Sequence, residues 1–237
     1  MTEPLPIVLI PGLLASARLY GEQLPRLWWF GPVTIADHTR DDSMAAIASR
    51  VLATAPPRFA LVGLSMGGYV AFEILRQAAG RVVKLALLDT TARADTPELS
   101  ERRRGQIALT ESGRFADVFE QQYPLLIHRA RQGEVALRRL VWLMGEEVGP
   151  EAFIRQQTAI INRPDSRPGL AAIGCPTLAL VGDGDVLTPP AWAEEIAAGI
   201  PGARLVVVPD CGHLSTLERP REVTQALVEW LQAGSPG

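Results

Sequence analysis

A chain of 237 residues, of which 47% are hydrophobic and 21% charged, has the composition of a globular protein and is long enough to bury a large core without disulfide or metal support. The formal net charge of −3 gives no electrostatic reason to expect nucleic acid or an anionic membrane as a partner. There is no run of about 18 apolar residues and no basic start before an apolar stretch, so we expect neither a membrane span nor a secretory signal. The two cysteines, Cys175 and Cys211, have no metal or redox spacing, and we expect a reduced, cytoplasmic protein without a disulfide.

Six short apolar runs lie along the chain and alternate with segments of helical length. The runs lack a strict alternation of polar and apolar residues, so we expect each strand to be covered on both faces, as in a parallel sheet flanked by helices. The sequence therefore predicts a doubly wound α/β fold with about six mostly parallel strands. The predicted strands are residues 7–10, 33–37, 59–64, 83–89, 177–183 and 204–210.

Capping residues and prolines indicate where the helices begin. Ser43 is a suitable N-cap for the first helix, and two others begin with proline near the first turn, where the missing N–H costs little. The predicted helices are residues 43–55, 66–80, 189–200 and 219–233.

The alternation stops between Asp95 and Asp165, where helical spacing with glycine breaks replaces the strands. We predict that residues 95–168 form a helical cap, or lid, inserted into a core made of residues 1–94 and 169–237. A long helical crossover is the alternative. The lid is favoured because open α/β sheets bind ligands at the carboxyl edge of the sheet, which such an insertion can cover.

The segment VGLSMGG places three glycines around Ser65. A sharp turn from strand to helix strains its central residue and presses the residues two before and two after it against neighbouring backbone, so glycine suits Gly63 and Gly67. Such a turn presents a hydroxyl at the sheet edge, close to the positive end of the next helix. The pattern predicts that Ser65 is a nucleophile; the alternative is a glycine-rich turn with an incidental serine.

A serine hydroxyl needs a general base that takes its proton. The chain has three histidines, His38, His128 and His213. Because His213 follows the last predicted strand, it lies at the same sheet edge as Ser65, and we predict that it is the base.

The base in turn needs an acid that orients it and stabilises its charged form. Asp185, in the segment GDGDVLTP after the fifth predicted strand, is the predicted acid. Asp183 and Asp89 end strands at the same edge and are the alternatives. The chain order serine, aspartate, histidine is one of the three known orders of such triads.

Four segments, VLIPGLLAS, VGLSMGG, GDGDVLTP and CGHLSTLERP, together resemble the α/β-hydrolase superfamily in its small esterase and enol-lactonase branch, over nearly the whole chain. The resemblance implies the α/β-hydrolase fold and an oxyanion hole made by the backbone N–H groups of Leu13 and Met66. Pro11 stands where many relatives carry histidine. The first strand also begins too early for the N-terminal hairpin of many relatives, so we expect a trimmed, parallel sheet.

The resemblance implies a serine hydrolase that cleaves small carboxylic esters or lactones through an acyl-enzyme, without a metal or cofactor, as a monomer or homodimer. The same triad can also cleave carbon–carbon bonds or transfer acyl groups, and a ligand receptor on the same fold is a further alternative. A haloalkane dehalogenase is disfavoured because those enzymes carry aspartate at the nucleophile position. The predicted pocket wall, between the triad and the insertion, consists of Leu13, Leu14, Met66, Phe119, Trp142, Met144 and Leu187.

Overall fold

The computed structural model describes residues 4–233 as one parallel sheet with helices on both faces. The strands are β1 (Ile7–Ile10), β2 (Val33–Ile35), β3 (Phe59–Leu64), β4 (Val82–Leu88), β5 (Thr177–Gly182) and β6 (Arg204–Val208). The helices are α1 (Leu24–Leu27), α2 (Met44–Thr54), α3 (Met66–Ala78), α4 (Pro97–Glu111), α5 (Phe115–Leu126), α6 (Val135–Val148), α7 (Pro150–Ile161), α8 (Pro190–Gly199), α9 (Ser215–Glu218) and α10 (Pro220–Gln232). All six predicted strands are present, with ends that differ by at most two residues.

The strand order is β2-β1-β3-β4-β5-β6, and every pair is parallel. The chain moves outward from β1 to β2 and then returns to place β3 on the other side of β1. The loops after β1 and β3 therefore leave the sheet at the point where the order reverses, which is where open α/β sheets form their ligand crevices.

Alternate residues of each central strand point into two separate hydrophobic clusters, one on each face. In β1, Ile7 and Leu9 belong to one cluster, while Val8 and Ile10 belong to the other. This arrangement explains why the central strands read as continuous apolar runs. The prediction that all six strands are covered on both faces is wrong for β2 and β6, which are the sheet edges and are partly exposed.

Four helices, α4 to α7, lie between β4 and β5. Buried side chains of α5 and α6 join the same cluster as Ile7 of β1, whereas Ala159 and Ile160 of α7 join the cluster on the other face. The insertion is therefore packed into both halves of the core. The division into a core and a cap at residues 95–168 stays a prediction.

Local sequence signals explain several helix starts. The Ser43 side chain accepts the N–H of Ala46 at 3.3 Å, as an N-cap does. At α4, Thr96 caps the N–H of Leu99 and Pro97 takes the first helical position. Within residues 4–233, none of the helices combines the length and the apolar character needed to cross a membrane.

The junction between β3 and α3 depends on two glycines. A side-chain carbon at Gly63 would collide with the backbone of Gly67, and one at Gly67 would collide with the backbone carbonyl of Ile10. Because the colliding atoms are backbone atoms of β1 and α3, neither collision can be relieved by turning a side chain.

We expect Gly67→Ala to lower the free energy of unfolding by about 3 kcal/mol, because overpacking against fixed backbone forces the junction apart. The matched control is Gly105→Ala within α4, where a new methyl group meets no atom within 4 Å. That control should raise the stability by up to about 1 kcal/mol through helix propensity. Urea unfolding followed by circular dichroism measures both, and equal stabilities of Gly67→Ala and the wild type would contradict the packing argument.

Candidate active site

Ser65 occupies the turn between β3 and α3 in a left-handed backbone conformation, with φ 54° and ψ −114°. Non-glycine residues rarely adopt this conformation, and it must be held by its surroundings. The Ser65 N–H donates to the carbonyl of Leu88 at 2.9 Å, and the Thr90 hydroxyl donates to the Ser65 carbonyl at 2.7 Å. The end of β4 thus fixes both sides of the strained residue and leaves its hydroxyl free to face the sheet edge.

His213 lies in the loop between β6 and α9 and is 3% exposed. Its Nε2 is 2.8 Å from the Ser65 Oγ. The loop is held from the insertion side, because the His213 N–H donates to the carbonyl of Leu126 at 2.9 Å. The buried carboxylate of Glu218 accepts the N–H of Gly212 at 2.9 Å and that of His128 at 3.0 Å, which ties the same loop to the end of α5.

Asp185 stands on the far side of the histidine ring, with its Oδ2 2.8 Å from the Nδ1 of His213. Its Oδ1 accepts the N–H groups of Leu187 at 2.8 Å and Thr188 at 2.9 Å, and the Thr188 hydroxyl donates to Oδ2 at 2.6 Å. Four hydrogen bonds from three residues therefore fix this carboxylate in one orientation.

The two alternative acids have other partners. Asp183 accepts the N–H of Cys211 at 3.2 Å and braces the turn after β5. The carboxylate of Asp89 accepts the N–H of Gly182 at 3.1 Å and the hydroxyl of Ser215. The structure therefore brings Asp185, rather than either alternative, into contact with His213.

The pKa values of the two buried carboxyl groups, Asp89 and Asp185, shift in opposite directions. Burial, followed by the nearby negative charge of Asp185, raises the pKa of Asp89 to about 8. Burial also disfavours the charged form of Asp185, but the attraction of His213 and the hydrogen bonds of Thr188 outweigh it and hold the pKa of Asp185 below its ordinary value. These opposite shifts favour Asp185, rather than Asp89, as the charged carboxylate beside the imidazole.

Burial alone would lower the pKa of His213, because a charged imidazolium loses solvation. The charge and hydrogen bond of Asp185 more than offset that loss and raise the pKa of His213 above its ordinary value. The neutral ring, which can accept a proton at Nε2, becomes populated as the pH rises through this raised pKa.

Two backbone N–H groups lie beside the serine without an acceptor. Within residues 4–233, neither the Leu13 N–H nor the Met66 N–H donates to another protein atom. Gly12 permits the close approach of the first loop, because a side-chain carbon there would lie 3.3 Å from the Cβ of Ser65. In the described part of the chain, both N–H groups therefore remain free to donate a hydrogen bond, as an oxyanion site requires.

Two residues outside the predicted set hold that first loop. His38 is 2% exposed, and its Nε2 bonds to the carbonyl of Gly12 at 2.9 Å. Gln156 of α7 is fully buried, and its Oε1 accepts the N–H of Leu14 at 3.2 Å. Leu13 is thus fixed from both neighbours. Only contacts across the fold identify these roles: His38 is 26 residues from Gly12, and Gln156 is 142 residues from Leu14.

The remaining histidine has no contact with the serine. His128 lies in the loop between α5 and α6, where its backbone N–H meets Glu218. Among the side chains of residues 4–233, no group of three histidines, cysteines or acids is arranged to hold a metal ion.

A cavity of about 160 Å³ opens at Ser65 and His213. Of the predicted wall residues, Leu13 and Leu187 line it. The other lining residues come mainly from the loop after β4, from α4 and from the end of α5. They include Thr91, Arg93, Asp95, Leu99, Arg102, Arg103, Gln106, Gln122, Leu125, Leu126, Ile160, Arg163 and Trp192.

The other five predicted wall residues do not line this cavity. Phe119 packs against Trp142, with ring centroids 4.7 Å apart, and Met144 is 1% exposed in the hydrophobic cluster that also contains α5 residues. The Met66 side chain is buried in the opposite cluster, and the half-buried Leu14, whose φ is 55°, does not line the cavity. Helical periodicity alone does not say which apolar face of an inserted helix meets the sheet and which meets the cavity.

Known proteins resemble this chain in sequence and in fold. A model described as the alpha/beta hydrolase family matches residues 7–226. A pimeloyl-[acyl-carrier protein] methyl ester esterase from Nitrosomonas europaea is 30% identical over 190 residues, which cover 76% of this chain and 74% of the esterase.

Solved structures give the same result for the fold. A thermophilic esterase from Thermogutta terrifontis, solved with malate bound, is 31% identical and superposes with a TM-score of 0.88 over 96% of this chain and 89% of the esterase. The enol-lactonase from Burkholderia xenovorans LB400 is 23% identical and also has a TM-score of 0.88, covering 98% of this chain and 92% of the lactonase. The predicted fold is thereby confirmed.

We expect Asp185→Asn to lower the pKa of His213, because burial then acts without the opposing carboxylate. The matched control is Asp183→Asn, two residues away, which should leave the pKa of His213 close to that of the wild type. Titration of the histidine ring protons by NMR measures all three proteins, with His213→Gln used for assignment. An unchanged pKa in Asp185→Asn would show that the carboxylate is not the partner of the ring.

Proposed function

The chain belongs to the alpha/beta hydrolase family, and on that premise we propose that it hydrolyses small carboxylic esters or lactones through an acyl-enzyme on Ser65. The main support for the proposal is the hydrogen-bonded series Ser65–His213–Asp185. The Ser65 Oγ lies 2.8 Å from Nε2 of His213, and Oδ2 of Asp185 lies 2.8 Å from Nδ1 of the same histidine. A strained serine, a base within reach of its proton and an oriented carboxylate are the requirements for nucleophilic catalysis.

In the acylation step, the neutral His213 accepts the Ser65 proton at Nε2 while Oγ forms a bond to the carbonyl carbon. The carbonyl electron pair moves onto its oxygen, which the N–H groups of Leu13 and Met66 stabilise. The carbon–oxygen bond to the leaving group then breaks, and His213 returns the proton to the departing alkoxide as an alcohol. Asp185 holds the Nδ1–H tautomer and stabilises the intermediate imidazolium.

Water completes the cycle by the same route. His213 takes a proton from water, the water oxygen attacks the acyl carbon, and collapse of the second tetrahedral intermediate releases the acid and restores the Ser65 hydroxyl. For a lactone, the alcohol and acid remain in one product molecule. No step in this scheme requires a metal or an organic cofactor.

The choice of esters and lactones draws on the relatives. One is named as a methyl ester esterase, one as an esterase and one as an enol-lactonase. In the scheme above, each of these reactions passes through a tetrahedral intermediate whose oxyanion is on the carbon bonded to the Ser65 Oγ. The cytoplasmic location, the small-molecule partner and the monomeric or dimeric state stay predictions.

The first test is covalent labelling of Ser65 with a fluorophosphonate, which needs an activated serine but little substrate fit. We expect one adduct per chain in the intact mass of the wild type and none in Ser65→Ala. On an ester that the wild type cleaves, Ser65→Ala should lower kcat by about 10⁶-fold, as removal of a triad serine does in other enzymes. Absence of an adduct on folded wild type, or only a few-fold loss of kcat, would refute the proposed nucleophile.

We expect Gln156→Leu to lower kcat about tenfold with little change in KM, because the Leu14 N–H loses its acceptor and the Leu13 N–H moves away from the developing oxyanion. Affinity for a boronic acid that mimics the tetrahedral intermediate should fall in parallel with kcat/KM. If the boronic acid bound as tightly as it does to the wild type while the protein lost stability, Gln156 would be a structural residue without influence on the oxyanion.

A further inference from the structure

Four arginines line the cavity that contains Ser65: Arg93, Arg102, Arg103 and Arg163. They come from the loop after β4, from α4 and from the loop after α7, whereas the serine and the histidine come from loops at the sheet edge. Leucines contributed by the first loop, by α4 and by α5 line the same cavity. One space thus combines the reactive hydroxyl, an apolar lining and a cationic wall formed by these four arginines.

The acidic partners of the cationic wall are fewer than its arginines. Asp95 is shared, with Arg103 Nε at 2.7 Å from one oxygen and Arg163 Nη1 at 2.6 Å from the other. Arg93 forms a two-pronged pair with Glu195, at 2.9 and 3.1 Å. Two carboxylates therefore face four guanidinium groups, and the wall keeps an excess of positive charge.

Within residues 4–233, Arg102 and Arg103 of the wall have N–H groups without an acceptor. Within residues 4–233, the guanidinium of Arg102 has neither an acidic partner nor a hydrogen-bond acceptor, and it is exposed. Arg103 uses Nε on Asp95 and Nη1 on Gln157, so its Nη2 is also without an acceptor in this part of the chain. Arg163, by contrast, is 5% exposed at its side chain, with Nε and Nη1 bonded to Asp95 and backbone carbonyls and its guanidinium over the Tyr69 ring.

We propose that this wall binds a carboxylate carried by the substrate, so that the enzyme prefers esters or lactones whose short aliphatic chain ends in a second, ionised acid group. A guanidinium offers parallel N–H donors whose geometry matches the two oxygens of a carboxylate. The leucines accommodate the aliphatic chain, and Arg102 with the free Nη2 of Arg103 holds the charged end. The inference rests on the proposed function and specifies its substrate class.

The test uses two methyl esters of equal chain length, monomethyl adipate and methyl hexanoate, which differ by a terminal carboxylate. We expect the wild type to favour monomethyl adipate by about tenfold in kcat/KM, mainly through KM, because a charge-assisted hydrogen bond of the wall exists only with the anion. Arg102→Gln should reduce this ratio to near one. Arg104→Gln is the matched control, since Arg104 pairs with Glu101 and does not line the cavity; it should keep the wild-type ratio.

A binding measurement on Ser65→Ala separates this inference from the proposed chemistry. Calorimetry should show tighter binding of monomethyl adipate than of methyl hexanoate, and the additional change Arg102→Gln should abolish the difference while Arg104→Gln should not. Equal affinity for the two esters, or a preference that survives Arg102→Gln, would overturn the carboxylate assignment even if Ser65 is labelled. Selective binding by a protein whose Ser65 is not labelled would support the assignment and refute the proposed hydrolysis instead.

Discussion

The left-handed backbone of Ser65 is the constraint on which the rest of this site depends. An L-residue in that conformation is unfavourable by on the order of 1–3 kcal/mol, so the surrounding structure must impose it. Here the end of β4 supplies two hydrogen bonds to the serine backbone, and Gly63 and Gly67 let the strand, the helix and the first loop approach closely. Without that approach, the hydroxyl and the N–H of Met66 would not face the same point in space.

The reversal of strand order explains why separate loops reach one serine. β1 and β3 are neighbours in the sheet, so Leu13 and Ser65 leave it side by side. Asp185 and His213 leave from β5 and β6, further along the same edge, and the histidine ring extends back to the serine. The hydrogen bonds that the carbonyl of Leu126 and the carboxylate of Glu218 accept hold the histidine loop at this distance.

The inserted helices hold two of the loops that form the site. The end of α5 anchors the histidine loop, and α7 supplies the buried Gln156 that fixes the loop of Leu13. The loop after β4 and α4 supply three of the four arginines that distinguish this cavity from a purely apolar one. Packing of the insertion into both clusters of the core therefore connects the proposed carboxylate site to the placement of the proposed oxyanion donors.

The sequence by itself determined the sheet, its parallel strands and the sheet-edge positions of Ser65, His213 and Asp185, because buried strands, glycine-flanked turns and helix caps are local signals. It did not choose the faces of the inserted helices: Phe119, Trp142 and Met144 were expected at the cavity and lie elsewhere, while Arg102, Arg103 and Arg163 line it. Nor did it identify His38, Gln156 or Glu218, whose partners are distant in sequence and unmarked by any motif. Only the tertiary structure decided these points, because a helix with apolar residues on more than one side takes its orientation from the shape of the whole core, and a buried polar side chain takes its role from the backbone groups that the fold brings within hydrogen-bonding distance.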